Sequence, residues 1–152
     1  MAQVTLPDGK VLDVENGLTA GQIVEKIGKK LAQDALAVKI NGQPADLIAP
    51  VEGQIAFHVI TINSEDGLDI LRHSCAHVMA EAICSIWPKA ELVYGPTIDD
   101  GFYYDVDLKH RISPEDFPKI EEEMKKEIKT NNTFEKIVVT REQALKDSES
   151  GR

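Results

Sequence analysis

The first 62 residues hold one helix-like segment set among five strand-like segments, and that order is the strongest constraint on what the chain can become. Val4 and Leu6 alternate with polar neighbours, Pro7-Asp8-Gly9 supplies a tight turn, and Val11, Leu12 and Val14 follow. This is the pattern of a β-hairpin. Thr19 stands where a helix cap belongs, before Ala20, Ile23, Val24, Ile27 and Leu31 at i, i+3, i+4 spacing, with Gly28 as a weak point or an end. Ala35–Ile40 reads as a strand, Asn41-Gly42 as a hairpin turn, Ala45–Leu47 as a short edge segment and Ile55–Ile62 as a long apolar strand.

With one helix and one mixed sheet, the helix must cover the sheet's apolar face. The reading is an α+β fold whose first domain, residues 1–63, is a ubiquitin-like β-grasp. Asn63-Ser64-Glu65-Asp66-Gly67 is short and polar and serves as the linker. A second domain, 64–152, then opens with a long helix from Leu68 to Trp87, ended by Pro88. Leu92–Ile98 and Phe102–Val106 read as one hairpin turning at Asp99-Asp100-Gly101. Ser113-Pro114-Glu115-Asp116 starts a helix that runs to Asn131, with Pro118 as a possible bend or delay. Glu121, Glu122 and Glu123 lie at helical spacing from Lys125, Lys126 and Lys129, a solvated charged face. Phe134–Val139 reads as a further strand, and Thr140 with Gln143 as the capping box of a last short helix.

Charge narrows the function classes. Seventeen basic residues face 26 acidic ones, a net charge of -9. Five Lys against seven acids give residues 1–63 a charge of -2, and twelve bases against nineteen acids give 64–152 a charge of -7. Such a chain binds nucleic acid weakly by itself. No apolar run reaches the ~18–20 residues that span a bilayer. MAQVTLPDGK carries neither an apolar signal core nor an Arg-rich transit pattern, so the expected location is the cytoplasm, without membrane attachment. Cys75 and Cys84 sit nine residues apart on one expected helix, about 13 Å at 1.5 Å per residue, too far for a disulfide.

Two groups of residues can carry chemistry. His73 and His77 are four residues apart on the long helix and share a face, with Ala80 leaving room beside them. Such a pair is half of a metal site or a way to hold a general base, and a His at helical spacing is more often an ordinary core or surface residue. The zinc-protease motif is excluded, because Ser74 stands where Glu is required. His58 and His110 show no partner pattern. The second group, Tyr94 to Asp105, contains all three tyrosines, Gly95, Gly101 and Asp-rich turns. It is either a plain hairpin or one wall of a pocket for a polar substrate.

LRHSCAHVMAEAI (71–83) followed by GPTIDDGFYYDVDL (95–108) resembles the opening of the editing domain of bacterial-type threonyl-tRNA synthetases. The preceding residues, with TLPDGK and VKINGQPADL, resemble the TGS domain of that family, a β-grasp module. The resemblance covers residues 1 to about 147. It implies a parent that ligates threonine to tRNA(Thr) with ATP, as a homodimer, and hydrolyses mischarged seryl-tRNA(Thr) at a second site. It assigns His73 and His77 to the editing chemistry; Tyr104, Asp105 and Gly95 of the hairpin group are the candidate substrate-binding residues.

It also implies ATP, magnesium and zinc in a catalytic core, with no metal and no cofactor in this segment. The family's later Cys-x-x-x-His has no match after His77, since Cys75 is followed four residues on by Met79 and Cys84 by Pro88. The expectation is therefore a chain cut inside its second domain, with an open sheet edge and little hydrolytic activity of its own. The alternative is a free-standing binding module that uses its β-grasp domain to contact protein or RNA without catalysis.

Overall fold

The computed structural model describes residues 1–132 and 137–149. Its first part is a five-stranded mixed sheet covered by helix. The strands are β1 (Ala2–Thr5), β2 (Val11–Val14), β3 (Ala35–Ile40), β4 (Gln43–Ala45) and β5 (Gln54–Thr61), in the order β2-β1-β5-β3-β4. β1 and β5 run parallel and the other neighbours antiparallel. Alternation along β1 and β5 sends Val4, Ile55 and Phe57 to one face. There they meet Ala20, Ile23 and Val24 of α1 (Ala20–Ile27), and Phe57 is 2% exposed. This is the expected arrangement of strands and helix.

Thr19 caps α1 through a reciprocal box. Its Oγ1 accepts from the Gln22 N–H at 3.3 Å, and Gln22 Oε1 accepts from the Thr19 N–H at 2.9 Å. The helix stops at Gly28, and the chain resumes as a short second helix, α2 (Lys29–Asp34). The edge strand lies at Gln43–Ala45 rather than Ala45–Leu47. Asn41 and Gly42 both take positive φ, 52° and 81°, so a two-residue turn pairs Ile40 directly with Gln43.

The second part is built on α3 (Glu65–Ile86), which starts one turn earlier than the apolar pattern indicated because Ser64 caps it. It packs along α4 (Phe117–Thr130), with Ile83 and Ile120 both buried. Helix α4 begins three residues later than expected. Ser113 to Asp116 form a turn of their own, in which the Ser113 N–H and Oγ–H donate to Asp116 Oδ2 at 2.8 and 3.2 Å. Had the helix started at Pro114, the Pro118 ring would press on the carbonyl of residue 114. With Phe117 first, Pro118 falls in the first turn, where no N–H is needed.

The expected single hairpin is two short ladders. β6 (Glu91–Tyr94) pairs with β9 (Asp105–Asp107), and β7 (Thr97–Ile98) with β8 (Gly101–Phe102). Gly95-Pro96 and Tyr103-Tyr104 interrupt it, since proline has no N–H for a ladder. Of the expected strand Phe134–Val139, residues 134–136 lie outside the described residues and 137–139 are not strand. Ile137 and Val138 are 74% and 88% exposed, and no strand pairing among the described residues includes them. The last helix, α5 (Arg141–Glu149), has half of its expected capping box. Thr140 Oγ1 accepts from the Gln143 N–H at 3.3 Å, while the Gln143 side chain donates to Asp147 instead.

Candidate functional site

The two histidines on α3 meet as the i, i+4 spacing requires. Their Nε2 atoms are 3.0 Å apart, and the rings stand edge to face with centroids 4.5 Å apart. Both side chains are exposed. A contact between two ring nitrogens needs one N–H donor and one bare acceptor, so the pair shares a single proton at that contact. It cannot keep the bond with both rings protonated. Ala80 does not leave open space beside them: it is 2% exposed and, with Ala76, belongs to the packed side of the helix.

His73 opens onto a cleft of about 390 Å3 between the sheet and the start of α3. Ile60 and Ile70 supply apolar wall, Asp66 and Asp69 line the helix side, and Thr97 comes from β7. Lys39 reaches in from β3 and its Nζ lies 2.7 Å from Asp66 Oδ2. No pattern in the sequence linked Lys39 to Asp66, which are 27 residues apart.

Tyr104 lies elsewhere. It lines a larger, mostly apolar groove of about 590 Å3 between α3, β9 and α4, with Met79, Ile83, Phe117, Ile120 and Met124. Its ring crosses the Cα of Gly95: a Cβ there would overlap Cδ2 and Cε2 and stand 2.7 Å from Cγ. Gly95 and Tyr104 therefore come together, and exposed Asp105 follows on β9, paired in register with Tyr94.

His110, which had no partner pattern, has two partners. Its ring stacks on Trp87 with centroids 4.9 Å apart, and its Nε2 lies 3.0 Å from Asp116 Oδ2. Lys119 Nζ sits 5.6 Å from the Trp87 ring centroid. Asp116 is held below the usual carboxylate range, first by the Ser113 backbone N–H and then by the His110 contact. The available signal was the Ser-x-x-Asp turn just before α4.

Cys75 is exposed and Cys84 half-buried, both as free thiols. Among the described residues no three His, Cys, Asp or Glu side chains come together to hold a metal ion. No helix among the described residues is long and apolar enough to cross a membrane. What the site offers chemically is a solvent-facing imidazole pair with one bare ring-nitrogen acceptor and one N–H donor at the contact.

Residues 2–54 match the family model of the TGS domain. Over 145 residues the chain is 43% identical to a threonine–tRNA ligase of Desulfatibacillum aliphaticivorans, covering 95% of this chain and 23% of that protein. It is 43% identical over 144 residues to one of Rubrobacter xylanophilus (95% and 22%), and 45% over 146 residues to one of Streptococcus equi subsp. zooepidemicus (95% and 22%). The chain therefore matches the TGS-containing N-terminal region of threonine–tRNA ligases, and it spans less than a quarter of the length of these curated relatives.

Proposed function

We propose that this chain is the N-terminal part of a threonine–tRNA ligase. Residues 1–63 form its TGS module, and 64–152 the first part of an editing domain that hydrolyses seryl-tRNA(Thr). The observation that carries the reading is the exposed His73–His77 pair, 3.0 Å apart at Nε2, on a chain that matches such ligases over 95% of its length. A hydroxyl-reading synthetic site discriminates poorly between close hydroxy amino acids, and a second hydrolytic site removes the errors.

Hydrolysis of the ester adds water across the acyl–oxygen bond. One imidazole takes a proton from the attacking water, its oxygen bonds to the ester carbonyl carbon, and the ribose hydroxyl leaves with a proton returned to it. In this reading the contact between the rings opens when substrate enters. The ring with the bare Nε2 acts as the base, and the other keeps its N–H for an oxygen of the substrate. Tyr104 with Gly95, and Asp105 beside them, would bind a further part of the substrate on the hairpin side, in the groove apart from the His73 cleft. The substrate is seryl-tRNA(Thr), most of whose phosphate contacts come from outside this acidic segment, and the ligase works in the cytoplasm as a homodimer.

The test is deacylation of purified seryl-tRNA(Thr) by the ligase that carries this segment. His73→Ala and His77→Ala should each lower the rate by about 10²- to 10⁴-fold, the usual worth of a general base. Threonylation should continue in both variants. Deacylation at the parent rate in both would remove the assignment and favour a binding role for the segment.

A further inference from the structure

Helix α3 is joined to the sheet by three residues, 62–64, and the joint is closed around one carbonyl. The Thr61 oxygen accepts from the Ser64 N–H at 3.0 Å and from its Oγ–H at 2.8 Å. Ser64 Oγ in turn accepts from the Gly67 N–H at 3.1 Å. Gly67 is buried against the same carbonyl: a Cβ there would overlap the Thr61 oxygen and stand 2.8 Å from its carbon. Any side chain at 67 must therefore push the helix away from the sheet. The Ile62 N–H donates to the Asp34 oxygen at 3.0 Å, fixing the connection from the other side.

A second strut reaches the same turn. Asp66, next to Gly67, receives Lys39 Nζ from β3 at 2.7 Å. The two attachments restrain the first turn of α3 from different strands, one by close packing on β5 and one by charge from β3. His73 follows Asp66 by seven residues, about 10 Å along the helix, and lines the same cleft as Lys39 and Asp66. A helix is stiff over that distance, so a tilt at its first turn displaces His73. The Lys39 and Asp66 side chains are 31% and 51% exposed, so the pair adds little to global stability and acts on orientation.

We propose that Lys39, Asp66 and Gly67 are positioning residues by which the β-grasp sheet holds α3, and with it the histidine pair, in its working orientation. The catalytic consequence rests on the hydrolytic reading above, whereas the orientation itself does not.

The joint is tested on the 152-residue chain with Cys84→Ser, spin-labelled at Cys75 on α3 and at Asp13→Cys on β2. The expected distance distribution is narrow in this parent and in the charge swap Lys39→Asp with Asp66→Lys. It should broaden in Lys39→Met and in Asp66→Asn and shift in Gly67→Ala. The ring nitrogen signals of His73 and His77 should move in the same variants. In the ligase, Lys39→Met should lower the deacylation kcat by about tenfold or more with KM unchanged, since an ångström of misplacement costs up to about 10²-fold, and the swap should restore it. Unchanged distances in Lys39→Met and Asp66→Asn overturn the proposal, and so does an unchanged kcat where the distances broaden. These two variants decide the matter even where Gly67→Ala fails to fold. A parent ligase that releases no serine would sink the hydrolytic reading alone, leaving distances and ring signals to judge the joint.

Discussion

Gly95→Ala should be destabilising because of Tyr104, whose ring supplies the three nearest atoms. The added Cβ would stand 2.7 Å from Cγ of that ring, and closer still to Cδ2 and Cε2, where ordinary contact begins at 3.4 Å. The ring must retreat by about 0.7 Å at Cγ and by more at its near edge. The overlap reaches back to Cγ, close to the backbone, so turning the far end of the ring does not relieve it. Overpacking of this kind costs about 1–3 kcal/mol. For a chain of this size, 2 kcal/mol lowers the melting temperature by about 4–8 °C. The assay is a thermal double-mutant cycle by calorimetry on the parent, Gly95→Ala, Tyr104→Ala and the double variant. Removing the ring removes the clash, so Gly95→Ala should cost nearly nothing in the Tyr104→Ala background, with a coupling of about 1–3 kcal/mol. Strictly additive losses, or a Gly95→Ala chain as stable as the parent, would refute the reasoning.

Two further outcomes follow from the packing and the charges. Phe57→Ala, at a side chain 2% exposed between α1 and the sheet, should cost about 3–5 kcal/mol, measured by urea unfolding monitored in the far ultraviolet. Asp116 should titrate below an ordinary aspartate in a carboxyl-carbon nuclear magnetic resonance titration, because the Ser113 N–H and His110 favour its charged form. Its contribution to the turn is present above the unfolded aspartate pKa and is lost as pH falls through the depressed folded value. A midpoint at or above that of exposed aspartates would show that the Ser113–Asp116 turn does not form.

How much was legible depended on the range of the interaction. The β-grasp was readable because each of its signals is local. Asn41-Gly42 selects a two-residue turn, Thr19 and Gln22 cap a helix three residues apart, and alternation in Val4 and Leu6 or Ile55 and Phe57 fixes a buried face. The same locality explains the His73–His77 contact, since four residues of helix place two rings side by side whatever surrounds them. The errors fell where two local signals competed. Ser113-Pro114 and Pro118 both propose a helix start, and the clash with a preceding carbonyl decides for the later one. Ile137–Val139 has strand composition, but a strand needs a partner, and composition does not state whether one is present.

The sequence by itself therefore determined the order of elements, the face of α3 that carries both imidazoles and the likeness to the N-terminal region of threonine–tRNA ligases. Tertiary structure alone decided which residues share a cleft with His73. Lys39 and Asp66 are separated by two strands, a hairpin turn and a linker, and they meet only because the mixed sheet places β3 beside β5 and α3 leaves β5 after three residues. Gly67 and Gly95 look alike in the sequence to any other glycine in a helix or loop. Each is required by one neighbour, the Thr61 carbonyl and the Tyr104 ring, whose approach depends on how the chain folds back on itself.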